Sequence, residues 1–194
     1  MAVLGSSTPR PNEEAYALAY EIGFKLGRSG FDVINGGYDG VMTASSEGAR
    51  DAGAMAIGVT CGEIQDRRNV EPNEFLHEVI EVPVLVRRLE LLMKLAGGYA
   101  ILPGGTGTIA ELGIVWEHIN KSFIAPRPIV CVGAVWQPII DFVVANQEDA
   151  RVTIEVVNTA DEAVAIMQER AIDADLDAYR LIDECGAQVR ASHA

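Results

Sequence analysis

Short apolar runs alternate with longer amphipathic stretches along the chain. Ala2 to Leu4 reads as a strand, followed by the polar turn Gly5-Ser6-Ser7-Thr8-Pro9. Glu13 to Arg28 has helical spacing and ends near Gly30. Phe31 to Asn35 reads as a second strand closing on Gly36-Gly37, Gly40 to Asp51 as a helix, and Ala54 to Thr60 as a third strand. Residues 61–80 read as an irregular, charged loop, with one short strand predicted near Glu78 to Val82. Pro83 suits a helix N1 position, and the pattern carries that helix to about Ala96. Tyr99 to Leu102 follows as a strand, Thr108 to Lys121 as a helix and Ile129 to Val132 as a strand. Trp136 to Asn146, Val152 to Val156 and Ala160 to Arg170 continue the alternation. The tail from Asp173 to Val189 reads as a further helix, so the expected organisation is one domain over 1–172 and a helical extension over 173–194.

Strand and helix alternating through short connections imply an α/β fold, a mostly parallel sheet covered on both faces in three layers. In such sheets ligands bind beyond the carboxyl ends of the strands, where the strand order reverses. Three glycine turns fall on that edge: Gly5-Ser6-Ser7, Gly36-Gly37 and Gly104-Gly105.

The third turn opens Pro103-Gly104-Gly105-Thr106-Gly107-Thr108. It matches neither the dinucleotide fingerprint, which sits on the first strand with an acidic residue about 20 positions on, nor a P-loop, since no lysine follows. Its physics still suits an anion: glycines allow close approach, and helix N–H groups and dipole favour negative charge. A tight turn with ordinary capping fits the same residues. Glu111 has two readings. Thr108-Ile109-Ala110-Glu111 spells a capping box, while a carboxylate beside a bound phosphoribose could activate water or stabilise positive charge on the sugar. Arg88 falls inside the apolar arc of Leu85, Leu89, Leu92 and Ala96, so it must snorkel, pair with a buried acid or face a ligand. Arg87 lies on the polar stripe with Glu90 and Lys94. Asp39 reads as an N-cap or a ribose contact, His118 as structural, and Asp66-Arg67-Arg68-Asn69 as a solvated loop or a lid.

Half the residues are hydrophobic, enough for a core, and the net charge is −13. That balance argues against nucleic-acid or anionic-membrane binding, both of which need a basic face. Cys61, Cys131 and Cys185, odd in number and far apart, suggest neither a disulfide framework nor a zinc cluster. His77, His118 and His193 lack ligand spacing, so no metal is expected. No signal-peptide layout and no apolar run of about 18 residues appear. The expectation is a soluble, cytoplasmic protein.

The stretch Pro103 to Glu111 resembles the PGGxGTxxE motif of the LOG (Lonely Guy) family, whose members are often labelled lysine decarboxylases. The resemblance extends from Gly5-Ser6-Ser7 through Asn35-Gly36-Gly37 and Gly40-Val41-Met42 to about Asn146. It implies a Rossmann-like fold and a homodimer or higher homo-oligomer with both subunits near the site. It also implies cleavage of a nucleoside 5′-monophosphate, AMP or a cytokinin riboside monophosphate, to free base and ribose 5-phosphate without a cofactor. By this resemblance the catalytic pair is Arg88 and Glu111, and the nucleotide lies on Gly5, Ser6, Ser7, Gly36, Gly37, Met42, Gly104, Gly105, Thr106, Gly107 and Thr108. The chain departs from the family at Tyr38, commonly a third glycine, at Thr43, often glycine, and at Leu89, often lysine. A pyridoxal decarboxylase needs a Schiff-base lysine. The three lysines, Lys25, Lys94 and Lys121, are expected on solvated helix faces or ends. The alternative reading is a non-catalytic nucleotide or molybdenum-cofactor binder using the same site.

Overall fold

The computed structural model describes residues 1–147, 150, 154–173 and 178–192. Among these, eight strands form one sheet in the order β7-β6-β5-β1-β2-β3-β4-β8. The strands are β1 (Ala2–Leu4), β2 (Val33–Asn35), β3 (Ala56–Cys61), β4 (Glu78–Val82), β5 (Tyr99–Ile101), β6 (Ile129–Val132), β7 (Ile154–Val157) and β8 (Gln188–Ala191). Every pairing is parallel except that of β8 with β4. The helices are α1 (Glu14–Arg28), α2 (Val41–Asp51), α3 (Gly62–Arg68), α4 (Leu85–Lys94), α5 (Thr106–Asn120), α6 (Gln137–Asn146), α7 (Ala160–Arg170) and α8 (Ala178–Glu184).

Period-two alternation builds two cores. Val3 and Val33 join α1, α2 and α7 residues such as Ile22, Leu26, Ala44 and Met167 on one face. Leu4, Ile34, Val59 and Ile80 meet Leu91, Leu92, Leu112 and Val115 of α4 and α5 on the other. The chain winds from β1 outward to β4, then crosses back through α4 to β5 on the far side of β1. The strand order therefore reverses between β1 and β5, and a crevice opens above their carboxyl ends. This crossover also lays α4 beneath β3.

Several boundaries differ from the sequence reading. Pro83 lies outside α4, whose N-cap is Val84. The supposedly irregular stretch after β3 holds α3, which ends where Asn69 adopts a left-handed φ of 50°. The tail is not one helix: α8 stops at Glu184, Gly186 turns with φ +66°, and Gln188–Ala191 adds to the sheet edge. Positive φ is cheap only for a residue without Cβ, so Gly186 is where the helix gives way. Residues 152 and 153 of the expected strand, and 174–177 of the expected helix, lie outside the described residues.

Candidate functional site

The crevice is built from the ends of β1, β2, β3 and β5. Ser6 N–H donates to the Pro103 carbonyl at 3.1 Å, which stitches the turn after β1 to the turn after β5. Ser6 Oγ lies 2.8 Å from Thr8 Oγ1 and accepts from Thr8 N–H, so the first turn is internally braced. Gly104 is packed tightly: a Cβ there would stand 2.1 Å from Thr108 Oγ1 and 3.0 Å from Ser6 N. Cβ atoms on Gly105 and Gly107, by contrast, would meet nothing within 4 Å. The loop is thus pinned at Gly104 and open at Gly105 and Gly107.

α5 begins at Thr106, two residues before the expected start, with Gly105 as N-cap and no side-chain cap. Its first-turn N–H groups are therefore not satisfied by a capping side chain, an arrangement that favours an anion. The capping box read from Thr108 to Glu111 does not form. Thr108 is buried beside Gly104, and Glu111 stands in the second turn, 9% exposed. Gly104→Ala is expected to displace Thr108 and the Ser6 turn and to destabilise the fold by about 1–3 kcal/mol, which urea unfolding checks.

Arg88 is 6% exposed, as its place in the apolar arc suggested. Its guanidinium is held from several sides. Nε donates to the Val59 carbonyl at 2.8 Å and Nη2 to the Gly36 carbonyl at 3.2 Å. Met42 Sδ lies 3.9 Å from Nη2. Nη1 stands 3.5 Å from Glu111 Oε1, an ion-pair separation rather than a short hydrogen bond. Gly36 is required here, because a Cβ would lie 1.7 Å from Arg88 Nη2. Burial raises the Glu111 carboxyl above the ordinary glutamate range, and the Arg88 charge pulls the other way.

The Arg88–Glu111 pair thus joins Gly36 and Met42, while Gly5, Ser6, Gly104 and Thr108 form a second cluster linked through Ser6, Pro103 and α5. Gly37, with φ +79°, packs against Gly58 and Thr60 of β3, and its N–H donates to Asn35 Oδ1 at 2.8 Å. Ser7 belongs to the same braced turn. Asp39 is exposed and does not cap α2, whose N-cap is Gly40. His118 bonds the Ile114 carbonyl and packs edge-on against Phe123. Two residues named in the sequence for other reasons contribute here in roles it did not show. Asn35, fully buried, ties the β2 turn to α2 through Met42 O, Ser45 Oγ and Ser46 Oγ. Its signal was an amide closing an otherwise apolar strand. Tyr38, buried at the floor, holds its ring centroid 5.7 Å from Arg88 Cζ.

The protein family described as possible lysine decarboxylase matches residues 42–169, a span holding both members of the pair and the glycine loop. The chain belongs to this family, the LOG family. The LOG-family chain is 30% identical over 162 residues to the rice cytokinin riboside 5′-monophosphate phosphoribohydrolase LOG, covering 78% of the chain and 65% of that protein. It is 31% identical over 130 residues to a pyrimidine/purine nucleotide 5′-monophosphate nucleosidase of Escherichia coli K12. That match covers 59% of the chain but spans only 27% of the nucleosidase. In fold it is similar to the molybdenum cofactor binding protein of Rippkaea orientalis, with a TM-score of 0.67 at 18% identity over 87% of the chain and 94% of that protein. The two sequence relatives are hydrolases by name, and the structural one shares the α/β fold.

Proposed function

We propose that the protein hydrolyses the N-glycosidic bond of a nucleoside 5′-monophosphate, releasing base and ribose 5-phosphate. The observation that carries this reading is a buried carboxylate, Glu111, faced by a buried arginine and one turn inside an uncapped helix N-terminus. A 5′-phosphate on the N–H groups of Gly105 to Thr108 would leave the sugar lying along α5. Five residues separate Thr106 from Glu111, about 7.5 Å of helix rise, comparable with the reach of a ribose 5-phosphate. Glu111 accepts a proton from water as the water oxygen bonds to C1′. The glycosidic electron pair leaves with the base, which takes up a proton. Ionised Glu111 also stabilises the oxocarbenium-like transition state. Arg88, tied to two carbonyls of the floor, favours the ionised form of Glu111 against the burial that raises its carboxyl.

A decarboxylase chemistry does not fit these residues. Lys25 and Lys94 sit in the last turns of α1 and α4, and Lys121 is the C-cap of α5. Helices following parallel strands run back, so all three lie at the sheet edge opposite the crevice. Lys25 pairs with Glu21 and Asp161, and Lys94 with Glu90. None is placed to form a Schiff base above Glu111.

Exposed apolar side chains stand in the first turns of the helices that carry the pair: Val86 of α4 is 69% exposed and Ile109 of α5 48%. Val84, Leu85, Val135 and Phe142 are exposed too. Such a surface fits a second copy of the chain, forming a homodimer around the site. Sedimentation equilibrium should return twice the chain mass, and Val86→Asp should lower it to one. A monomeric wild type would remove this part of the reading.

Incubation with a panel of nucleoside monophosphates, followed by thermal shift and chromatography of products, tests the activity. Free base with ribose 5-phosphate is the expected result. Stabilisation by a monophosphate without turnover would instead make the protein a binder. No helix among the described residues is long and apolar enough to cross a membrane.

A further inference from the structure

Tyr38 stands where the turn after β2 meets the end of β3. Its hydroxyl accepts from Cys61 N–H at 2.8 Å and donates to the Cys61 carbonyl at 3.2 Å. The carbonyl of Tyr38 accepts from Thr43 Oγ1 at 2.8 Å and Asn73 Nδ2 at 3.2 Å. Ring and backbone are therefore both fixed, and the residue is 4% exposed. Arg88 is anchored on the same stretch of β3, through Val59 O, and its guanidinium carbon lies 5.7 Å from the Tyr38 ring centroid. That separation is within cation–π range.

A guanidinium has five N–H donors. In Arg88, Nε is used by Val59 O, and Nη2 by Gly36 O and Met42 Sδ. The Nη1 end is left for Glu111 and for whatever occupies the crevice. The carbonyls of Val59 and Gly36 hold the guanidinium along its edge and leave its two faces to be covered by other groups. The Tyr38 ring contributes to that cover.

We propose that Tyr38 is a positioning residue for the Arg88–Glu111 pair: its tethered ring carries the guanidinium on its face and keeps Nη1 directed at the Glu111 carboxylate. The assignment deepens the hydrolase reading and rests on it for its kinetic consequence, but the positioning itself is independent of turnover. It also gives the departure from glycine at this position a physical role. A chain with glycine there must hold its arginine by other contacts.

The titratable groups facing Tyr38 are Arg88 of α4, Cys61 of β3 and Glu81 of β4, and the charged group facing Glu111 is Arg88. A ring that weakens its hold on Arg88 should therefore be felt at Glu111 as a carboxyl that protonates at higher pH. The test replaces Tyr38 with Phe and then with 3,5-difluoro- and 3,4,5-trifluorophenylalanine. Fluorination drains negative charge from the ring face while nearly preserving shape. Glu111 is titrated by difference infrared spectroscopy of its carbonyl stretch, assigned with Glu111→Gln, and the acid limb of kcat/KM is recorded in parallel.

The expected result is a stepwise rise of both midpoints along the fluorinated series. Base release at pH 5.5 should drop roughly threefold or more from Phe to the trifluoro ring, within the range of one cation–π contact. Tyr38→Leu, which has no π face, should shift the titration at least as far. An unchanged Glu111 midpoint across folded fluorinated variants and Tyr38→Leu would overturn the assignment. If the wild type released no base yet the infrared midpoint moved with fluorination, the hydrolase reading would fail while the positioning role stood.

Discussion

Under the proposed hydrolase reading, Glu111→Gln is expected to lower kcat for base release from AMP by about 10²- to 10⁴-fold, the usual weight of a positioned acid–base group, and to leave KM within a few-fold of wild type. The reasoning is geometric. Phosphate contacts are assigned to the loop from Gly104 to Thr108, which the substitution does not touch. The amide keeps the size of the carboxylate, so α5 and its neighbours keep their packing. What disappears is the negative charge that meets the developing sugar cation and the oxygen that takes the proton from water. In the proposed mechanism the active form is the ionised one, so the wild-type rate is expected to fall as pH drops through the Glu111 midpoint. Burial places that midpoint above the ordinary glutamate range. Steady-state kinetics across pH 4 to 9 read both effects. A variant that retains wild-type kcat would remove Glu111 from the chemistry.

Arg88→Ala should be nearly as severe in rate and worse in stability. The rate loss is expected at about 10²- to 10³-fold, typical of removing one charge-stabilising donor, with the acid limb moved to higher pH because the opposing charge is gone. The substitution also orphans the carbonyls of Val59 and Gly36 and leaves Glu111 buried without a counter-charge. Breaking a buried pair from one side costs about 3–5 kcal/mol. In the variant the folded state holds the Glu111 proton to higher pH than the unfolded chain does. The penalty is therefore small below the unfolded glutamate pKa and grows as pH rises through the folded one. Urea unfolding at pH 5 and pH 8 should show the variant closer to wild type at the lower pH. Equal destabilisation at both would mean the pair is not electrostatically coupled. Arg88→Lys should not rescue, since a point ammonium cannot reach Val59 O, Gly36 O and Glu111 together.

Much of this site was legible in the residues. The place of Arg88 among leucines left it to snorkel, pair with a buried acid or face a ligand, and the structure buries it beside Glu111; three glycine turns on one strand edge pointed to the crevice. What the pattern hid were features set by tertiary contacts. The capping box at Thr108 was a local rule overridden when the chain reached helical geometry at Thr106, leaving Gly105 as an open N-cap. α3 was lost because its seven residues carry no buried face. The strand after Gly186 was hidden by the helical signal before it, and its pairing with β4 is a contact from a distant part of the chain. Tyr38 could be seen only as a departure from a familiar glycine. Its use depends on Arg88, fifty residues on, arriving above it through the α4 crossover.

The central claim is that the carbon–nitrogen bond of a nucleoside monophosphate breaks at this site, and the most direct test is to identify the products from AMP. Wild-type protein should yield adenine and ribose 5-phosphate in equal amounts, and Glu111→Gln almost none. Adenosine with inorganic phosphate, or adenine released equally well by both proteins, would contradict it.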